Sequence, residues 1–170
     1  ILKLSDIWRI HKILGTTQIH GILFDGAWLW EEYINLLIGC DFYHPMNKSH
    51  TDGQMLFTSG AYRIGPIYPD FISRDADNRI IADAKYKPAD NIRSSDYEQL
   101  LAYMFRFDSK KGYYLYPKSD IVDNIELKLN RGSTYEKNVC ARDDIKIIKC
   151  GLTIPNNAND YEDFKNKIRL

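Results

Sequence analysis

The fold of this chain is constrained most by two apolar segments, "PIYPDFIS" over residues 66–73 and "NRIIADAKY" over residues 78–86, with turn-forming Asp and Asn residues between them. The pattern predicts two strands joined by a short turn, which makes them adjacent antiparallel neighbours. Asp70 lies in the first strand, and Asp83 and Lys85 end the second. Because side chains alternate along a strand, Asp83 and Lys85 point to the same face. Two carboxylates and an amine are therefore predicted to converge at one edge of a sheet.

Two helices flank these strands in the sequence. "DGAWLWEEYINLLIGC" predicts a helix that begins at an Asp25 cap, ends at Gly39 and carries apolar residues almost all the way round, as a buried helix does. "SSDYEQLLAYMFRF" predicts a second helix, in which Ser95 and Glu98 form a capping box and the apolar stripe includes Phe105.

The remaining segments complete a mixed α/β pattern. Further strands are predicted for "GQMLFTSG", "KGYYLYP", "NIELKLN" and "DIKIIKCGLTIP", and a closing helix capped by Asp160 for "DYEDFKNKIRL". This order of elements predicts a sheet covered by helices on at least one face.

Composition limits the class of protein. With 170 residues, 44% of them hydrophobic, the chain can form one ordinary domain with a real core. It has neither a run of ~18 apolar residues nor a secretory signal pattern, so we expect a cytoplasmic protein without a membrane span. The three cysteines form no C-x-x-C pair, which argues against a disulfide framework or zinc knuckle. The 23 basic and 23 acidic residues balance, so any nucleic-acid site must be local.

The second helix adds polar groups to the same region. Gln99 and Tyr103 are four residues apart and share a helix face, and Glu31 on the first helix supplies a third acid. Hard oxygen ligands of this kind suit Mg²⁺ or Mn²⁺. A lysine beside such a cation can orient a water and offset charge on a phosphate. The set therefore predicts metal-assisted phosphodiester hydrolysis.

Ordinary structural roles also fit these residues. Asp83 with Lys85 fits a surface ion pair worth at most ~1 kcal/mol. Asp70 fits a strand terminator, because Pro-Asp is a turn signal. Gln99 with Tyr103 fits a structural hydrogen bond.

The first-helix acid and the histidines are less defined. Glu31 fits a surface position, with Glu32 in the site instead. His44 and His50 have no acidic or cysteine partner at ligand spacing, so they are not predicted to bind metal.

Together, "YPD", "DAK" and "QLLAY" resemble the motifs of the PD-(D/E)XK nuclease superfamily, and Gln99 with Tyr103 is similar to the fourth motif of its RecB-like branch. More closely, "IYPDFI", "IIADAKYK", "DYEQLLAYM" and "GYYLYP" resemble McrC, the family of nuclease subunits of McrBC and LlaJI-type restriction systems. "LWEEYI" is similar to the acidic first-helix motif of that family, an alignment that selects Glu31. The resemblance implies a restriction-endonuclease-like α/β core, with a mixed central sheet flanked by helices.

The resemblance also implies a metal site. Asp70 and Asp83 would ligate Mg²⁺, with Mn²⁺ as a substitute, and the Ala84 carbonyl would complete the protein ligands. Glu31 would reach the metal directly or through water.

Three further residues would act on the substrate. Lys85 would position the attacking water, and Gln99 and Tyr103 would orient Lys85 or contact the scissile phosphate. The implied activity is that of an endodeoxyribonuclease that defends against foreign DNA.

The implied partners are DNA and an McrB-like AAA+ GTPase that would choose the target. On this interpretation residues 1–170 are a single nuclease domain, the C-terminal part of a longer McrC-like chain. Little or none of the family's N-terminal partner-binding region is expected within these residues. The basic and aromatic segments "KYKP" and "RFDSKKGYYLYP" place four candidate DNA-backbone contacts, which fit plain solubilising charge as well: Lys87, Arg106, Lys110 and Lys111.

Two other functions remain open from the sequence. One is a different PD-(D/E)XK nuclease, such as a RecB-like exonuclease or a CRISPR adaptation exonuclease; an iron-sulfur relative would need four cysteines. The other is a catalytically inactive DNA-binding or assembly module, which would have lost the acid and lysine set, whereas every member is present here.

Overall fold

The computed structural model describes residues 8–14, 17–23, 25–47, 52–118, 123–131, 139–155 and 157–168. Their strands are β1 (Trp8–Leu14), β2 (Thr17–Leu23), β3 (Phe42–Tyr43), β4 (Gln54–Ser59), β5 (Tyr62–Ile67), β6 (Phe71–Ser73), β7 (Ile80–Ala84), β8 (Lys111–Lys118), β9 (Ile125–Arg131) and β10 (Cys140–Thr153). Their helices are α1 (Gly26–Ile38), α2 (Ser94–Arg106) and α3 (Tyr161–Ile168), with a 3-10 turn at Ala89–Asn91.

Six strands form the central sheet, in the order β3-β6-β7-β8-β10-β9. β7, β8 and β10 are parallel, and the other neighbours are antiparallel. α2 lies in the crossover from β7 to β8, as a parallel connection requires. The predicted mixed α/β class is confirmed, and the sheet with its helices is compatible with a restriction-endonuclease-like core.

The predicted pairing of the two acidic strands is also confirmed. β6 and β7 are antiparallel, with Phe71 opposite Ala82 and Ile72 opposite Ile81. The turn between them is closed by Asp75, whose carboxylate accepts hydrogen bonds from two backbone N–H groups of the same turn.

α1 packs on one face of the sheet. Trp30 and Ile34 are buried against Phe71, Ala82 and Leu115. The Trp30 indole N–H donates to the Leu115 carbonyl at 2.9 Å, which ties the helix to β8.

The expected ends of α1 are confirmed, but its expected burial is wrong. Asp25 caps the helix by accepting from the Trp28 N–H, and Gly39 ends it. Leu29 is 42% and Leu36 64% exposed, so the helix buries only one side. A nearly continuous apolar surface does not say which side the sheet will cover.

α2 covers the opposite face. Leu100 and Met104 are buried with Ile72 and Ile81 in one core cluster. Gly112 on β8 allows this close approach, because a Cβ there would lie 2.6 Å from Met104 Sδ.

Two details of α2 differ from prediction. Asp96 accepts a hydrogen bond from the Arg93 N–H at 2.7 Å, so the predicted Ser95–Glu98 capping box is wrong by two positions at its acidic end. Phe105 is 87% exposed rather than part of the buried stripe, because the buried face of the helix is the one that carries Leu100, Tyr103 and Met104.

Two features before residue 74 differ from the predicted strands. The predicted strand over residues 66–73 is split, because Tyr62–Ile67 pairs with β4 in a separate hairpin and only Phe71–Ser73 joins the central sheet. Asp70 therefore lies just before β6 and not inside a strand. The β1–β2 hairpin was not predicted.

Later elements match their predictions. β8, β9 and α3 form where the patterns placed them, and β10 covers its predicted strand but begins earlier, at Cys140. Asp160 caps α3 by accepting from the Asp163 N–H. Cys40, Cys140 and Cys150 are free thiols. Within the described ranges, no helix has the length and apolar character needed to cross a bilayer.

Candidate active site

The candidate site lies where β7 ends and β6 begins. The β6–β7 register continues so that Asp70 is next to Asp83 on the neighbouring strand. Ile72 and Ile81 belong to the cluster under α2, and side chains alternate, so Asp70 and Asp83 share that face. The structure thus brings the two carboxylates to the same place.

The Asp70 carboxylate is held by backbone and side-chain donors. Its Oδ2 accepts from the Ala84 N–H at 2.8 Å, which joins it directly to β7. Its Oδ1 lies 3.4 Å from the Asn47 amide nitrogen, and His44 Nδ1 donates to the Asp70 carbonyl at 2.9 Å. His44 and Asn47 are site neighbours that the sequence did not indicate, because both lie in an irregular segment.

Asp83 is 3% exposed and forms an ion pair with Lys85, with 2.7 Å between Oδ2 and Nζ. Lys85 Nζ is also 3.5 Å from Asp96 Oδ1 and 3.5 Å from Gln99 Oε1. The two aspartates are ion-pair partners of the ammonium, and the Gln99 oxygen accepts a long hydrogen bond from it. Lys85 therefore lies at the centre of a polar cluster between β7 and α2.

Gln99 and Tyr103 meet on the α2 face that points to this cluster. The Gln99 amide donates to the Tyr103 hydroxyl at 2.7 Å, which leaves the Gln99 carbonyl oxygen toward Lys85. Burial and the Asp83 charge raise the pKa of Tyr103, although hydrogen bonds from Gln99 and the Tyr68 N–H oppose this. Tyr103 is therefore a neutral phenol at physiological pH.

The two carboxylates are harder to ionise than exposed ones. Burial raises the pKa of Asp70 to about 6, Glu31 adds to the rise, and the Ala84 N–H and Lys85 oppose it. Burial raises the pKa of Asp83 to about 7, the Asp70 charge adds to the rise, and Lys85 opposes it. Two neighbouring carboxylates that are shielded from water favour the binding of a cation between them.

Lys85 stays charged in this environment. Burial acts to lower its pKa, but Asp83 and then Asp70 and Asp96 outweigh that effect, and the pKa is raised. The group is therefore an ammonium at neutral pH, suited to hold a water or a phosphate oxygen and not to accept a proton.

Glu31 lies beside the cluster. Its Oε1 is 3.7 Å from His44 Nε2, and Glu32 Oε1 is at the same distance from that nitrogen. Glu31 acts on Asp70 through its charge. In the part of the chain that the structure describes, no group of three or more His, Cys, Asp or Glu side chains is arranged to hold a metal.

The four predicted DNA contacts do not lie together. Lys87 Nζ is 2.7 Å from Asp96 Oδ2 and so lies next to the cluster. Lys110 and Lys111 lie at the opposite end of the sheet, since Lys111 pairs with Ile80 at the start of β7. Arg106 donates to the Met55 carbonyl on the β4–β5 hairpin.

Asp96 is the cluster member that the sequence analysis missed. It contacts Lys85 and Lys87 and also caps α2. A signal was present, because Asp96 is three residues before Gln99 and so shares its helix face.

The fold and the cluster define an α/β protein with a mixed central sheet that presents two carboxylates and a lysine at the ends of adjacent strands. The family model for the McrBC 5-methylcytosine restriction system component matches residues 9–117, which is more than half of the 170-residue chain. The chain belongs to this family, as the motif resemblance predicted, and this supports a role in restriction. No curated protein matches the chain.

Proposed function

We propose that this chain is a Mg²⁺-dependent DNA endonuclease, the phosphodiester-cleaving subunit of an McrBC-like, modification-dependent restriction system. The observation that carries the proposal is the grouping of Asp70, Asp83 and Lys85 at one end of β7, with Gln99 against the lysine. Membership of a family of restriction-system components supports it.

The donor set fits Mg²⁺. This ion is commonly bound by one or two carboxylates together with substrate phosphate oxygens and waters, which is what Asp70 and Asp83 can offer. Ala84 would add its carbonyl, and Glu31 would reach the metal directly or through a bound water. A bound Mg²⁺ would polarise the phosphate and lower the pKa of a bound water.

The chain's own side chains would do the positioning. The Lys85 ammonium would hold the attacking water in line with the phosphorus and offset negative charge that develops on the phosphate. Gln99 would fix the direction of Lys85, because its amide is held by the Tyr103 hydroxyl. Asp70 would keep its orientation through the Ala84 N–H.

DNA and an McrB-like AAA+ GTPase are the proposed partners. Lys87 is next to the cluster and would contact the DNA backbone there. Arg106, Lys110 and Lys111 are proposed as further contacts, which requires DNA to extend past the opposite end of β8. Target choice would belong to the GTPase, in line with the neutral charge of this chain.

The test is nicking of supercoiled plasmid DNA, with and without 5-methylcytosine, in the presence of Mg²⁺ or Mn²⁺, GTP and the GTPase partner. We expect Asp83→Asn and Lys85→Ala each to lower the nicking rate by about 10²-fold or more. Degradation of linear DNA with circular DNA left intact would instead indicate an exonuclease.

A matched control pair exists on the surface. Lys128 and Asp143 form an ion pair with the same 2.7 Å separation as Lys85 and Asp83, but both are exposed. Lys128→Ala and Asp143→Asn should cut at the wild-type rate. Equal cutting by the site variants and the control variants would contradict the site assignment.

A further inference from the structure

We propose that Asp96 is a positioning residue for Lys85, which receives the Lys85 ammonium when Asp83 binds a divalent cation. The inference rests on the proposed function and adds a residue to it. It starts from a conflict in the site: the Asp83 oxygen that contacts Lys85 Nζ at 2.7 Å belongs to a proposed metal ligand. A cation bound to this oxygen and the ammonium repel each other at such distances, so Lys85 must leave this oxygen when the metal binds there.

Asp96 is placed to accept the withdrawn ammonium. Its Oδ1 is already 3.5 Å from Lys85 Nζ, so a shift of about 0.7 Å would bring the pair to the ~2.8 Å of a charge-assisted hydrogen bond. Its other oxygen is engaged, because Oδ2 accepts from the Arg93 N–H and from Lys87 Nζ, each at 2.7 Å. The carboxylate is thus fixed on α2 with one oxygen facing Lys85.

The surroundings strengthen this second ion pair. The side chains of Lys85 and Asp96 are 17% and 13% exposed, so water screens their attraction less than it does at an open surface. Gln99 Oε1, also 3.5 Å from Nζ, would keep the ammonium from leaving the site. Lys85 could therefore move from one carboxylate to the other while it stays close to the reacting groups.

The competing explanation is that Asp96 only caps α2. Asp96→Asn separates the two roles, because the amide oxygen still accepts from the Arg93 N–H but the negative charge is lost. Asp96→Glu keeps the charge. Lys85→Met removes the group that Asp96 is proposed to hold while it keeps the side-chain volume.

The experiment is a double-mutant cycle read by calorimetric titration of Mn²⁺ into the full chain, without DNA or partner. We expect Asp96→Asn to weaken Mn²⁺ binding about 10-fold or more, because Lys85 then stays on Asp83, and Asp96→Glu to recover most of the affinity. In the Lys85→Met background, Asp96→Asn should have no effect, since no ammonium remains to be moved.

Each outcome has a defined meaning. If Asp96→Asn lowers Mn²⁺ affinity equally in the wild-type and Lys85→Met backgrounds, Asp96 has a structural role only and the inference is overturned. No loss of affinity in either background would overturn it as well. If Asp96→Asn does not fold, Asp96→Gln read against Asp96→Glu gives the same comparison, because both side chains can accept from the Arg93 N–H but only Glu carries the charge. If wild type and Asp83→Asn bind Mn²⁺ equally, or neither binds it, the proposed metal site fails, and this inference fails with it.

Discussion

Asp70 and Asp83 are two acids placed where neither ionises easily, one just before a strand and one inside it. Buried carboxylates are usually paired with a positive charge. Here one ammonium, that of Lys85, is shared by two carboxylates: it forms an ion pair with Asp83 and acts on Asp70 at longer range. Such an arrangement costs stability in the free protein. It is understandable if the site is built to bind a cation that the folded chain does not itself supply.

This cost should appear in the pH dependence of stability. Because the pKa values of Asp70 and Asp83 are raised from 3.8 to about 6 and about 7, the folded chain holds more protons than the unfolded chain between these values. The free energy of unfolding should therefore fall as pH rises from about 4 to about 7 through these groups. Urea unfolding at a series of pH values, with a chelator present, measures this.

Asp83→Asn provides the comparison. The amide cannot ionise, so the variant should lose much less stability across the same pH range, and its advantage over wild type should grow toward pH 7. Exposed acids with lowered pKa values, such as Asp144, act in the opposite direction, but mainly below pH 4, and they are common to both proteins. If the free energy of unfolding changes with pH in the same way in both proteins, the ionised Asp83 carboxylate does not destabilise the folded chain.

α1 is attached to the sheet by an apolar cluster that contains a buried hydrogen bond, from Trp30 to Leu115. Trp30→Phe would leave the buried Leu115 carbonyl without its 2.9 Å donor and reduce the ring in the core. We expect a loss of about 1–3 kcal/mol in the free energy of unfolding. Leu36→Ala, on the exposed side of the same helix, should change it by no more than ~0.5 kcal/mol. Equal stability of the two variants, measured by urea unfolding, would refute this role for Trp30.

The parts of the site that the sequence predicted are those set by short-range geometry. Alternation along β7 places Asp83 and Lys85 on one face, a short turn brings Asp70 beside them, and helical spacing aligns Gln99 with Tyr103. None of these relations needs knowledge of distant parts of the chain. They are correct here although Asp70 lies outside the strand in which it was predicted.

The features that the sequence did not predict, the start of α2 and the exposed side of α1, are those for which the local sequence offers two similar alternatives. Ser95 with Glu98 and Arg93 with Asp96 are alternative starts for the same helix, and the second is formed, with Asp96 also paired to Lys87. The tertiary pair favours one start over the other, which local capping rules do not include. Which side of α1 stays exposed is likewise decided by the sheet, not by the helix.

Binding of Mg²⁺ at the proposed site should stabilise the folded chain as a whole. A ligand that binds only the folded state adds about 2.7 kcal/mol when its concentration is 100 times its Kd. We expect Mg²⁺ to raise the melting temperature of wild type, and more at pH 8 than at pH 6, because Asp70 and Asp83 must be ionised to bind it.

The same measurement on two variants locates the effect. Asp83→Asn should abolish the rise in melting temperature, whereas Asp143→Asn on the exposed pair should retain it. A rise of equal size in both variants would assign the stabilisation to weak binding at surface acids and not to the cluster under α2.

The ends of the strand order β3-β6-β7-β8-β10-β9 affect how this protein behaves at high concentration. On one side the outermost strand is only Phe42–Tyr43, too short to template a neighbour. On the other side, β9 carries Glu126 and Lys128 in ion pairs to β10. Among the described residues, both borders of the sheet therefore discourage strand addition, so self-association through the sheet would not compete with the proposed assembly on DNA or on a partner.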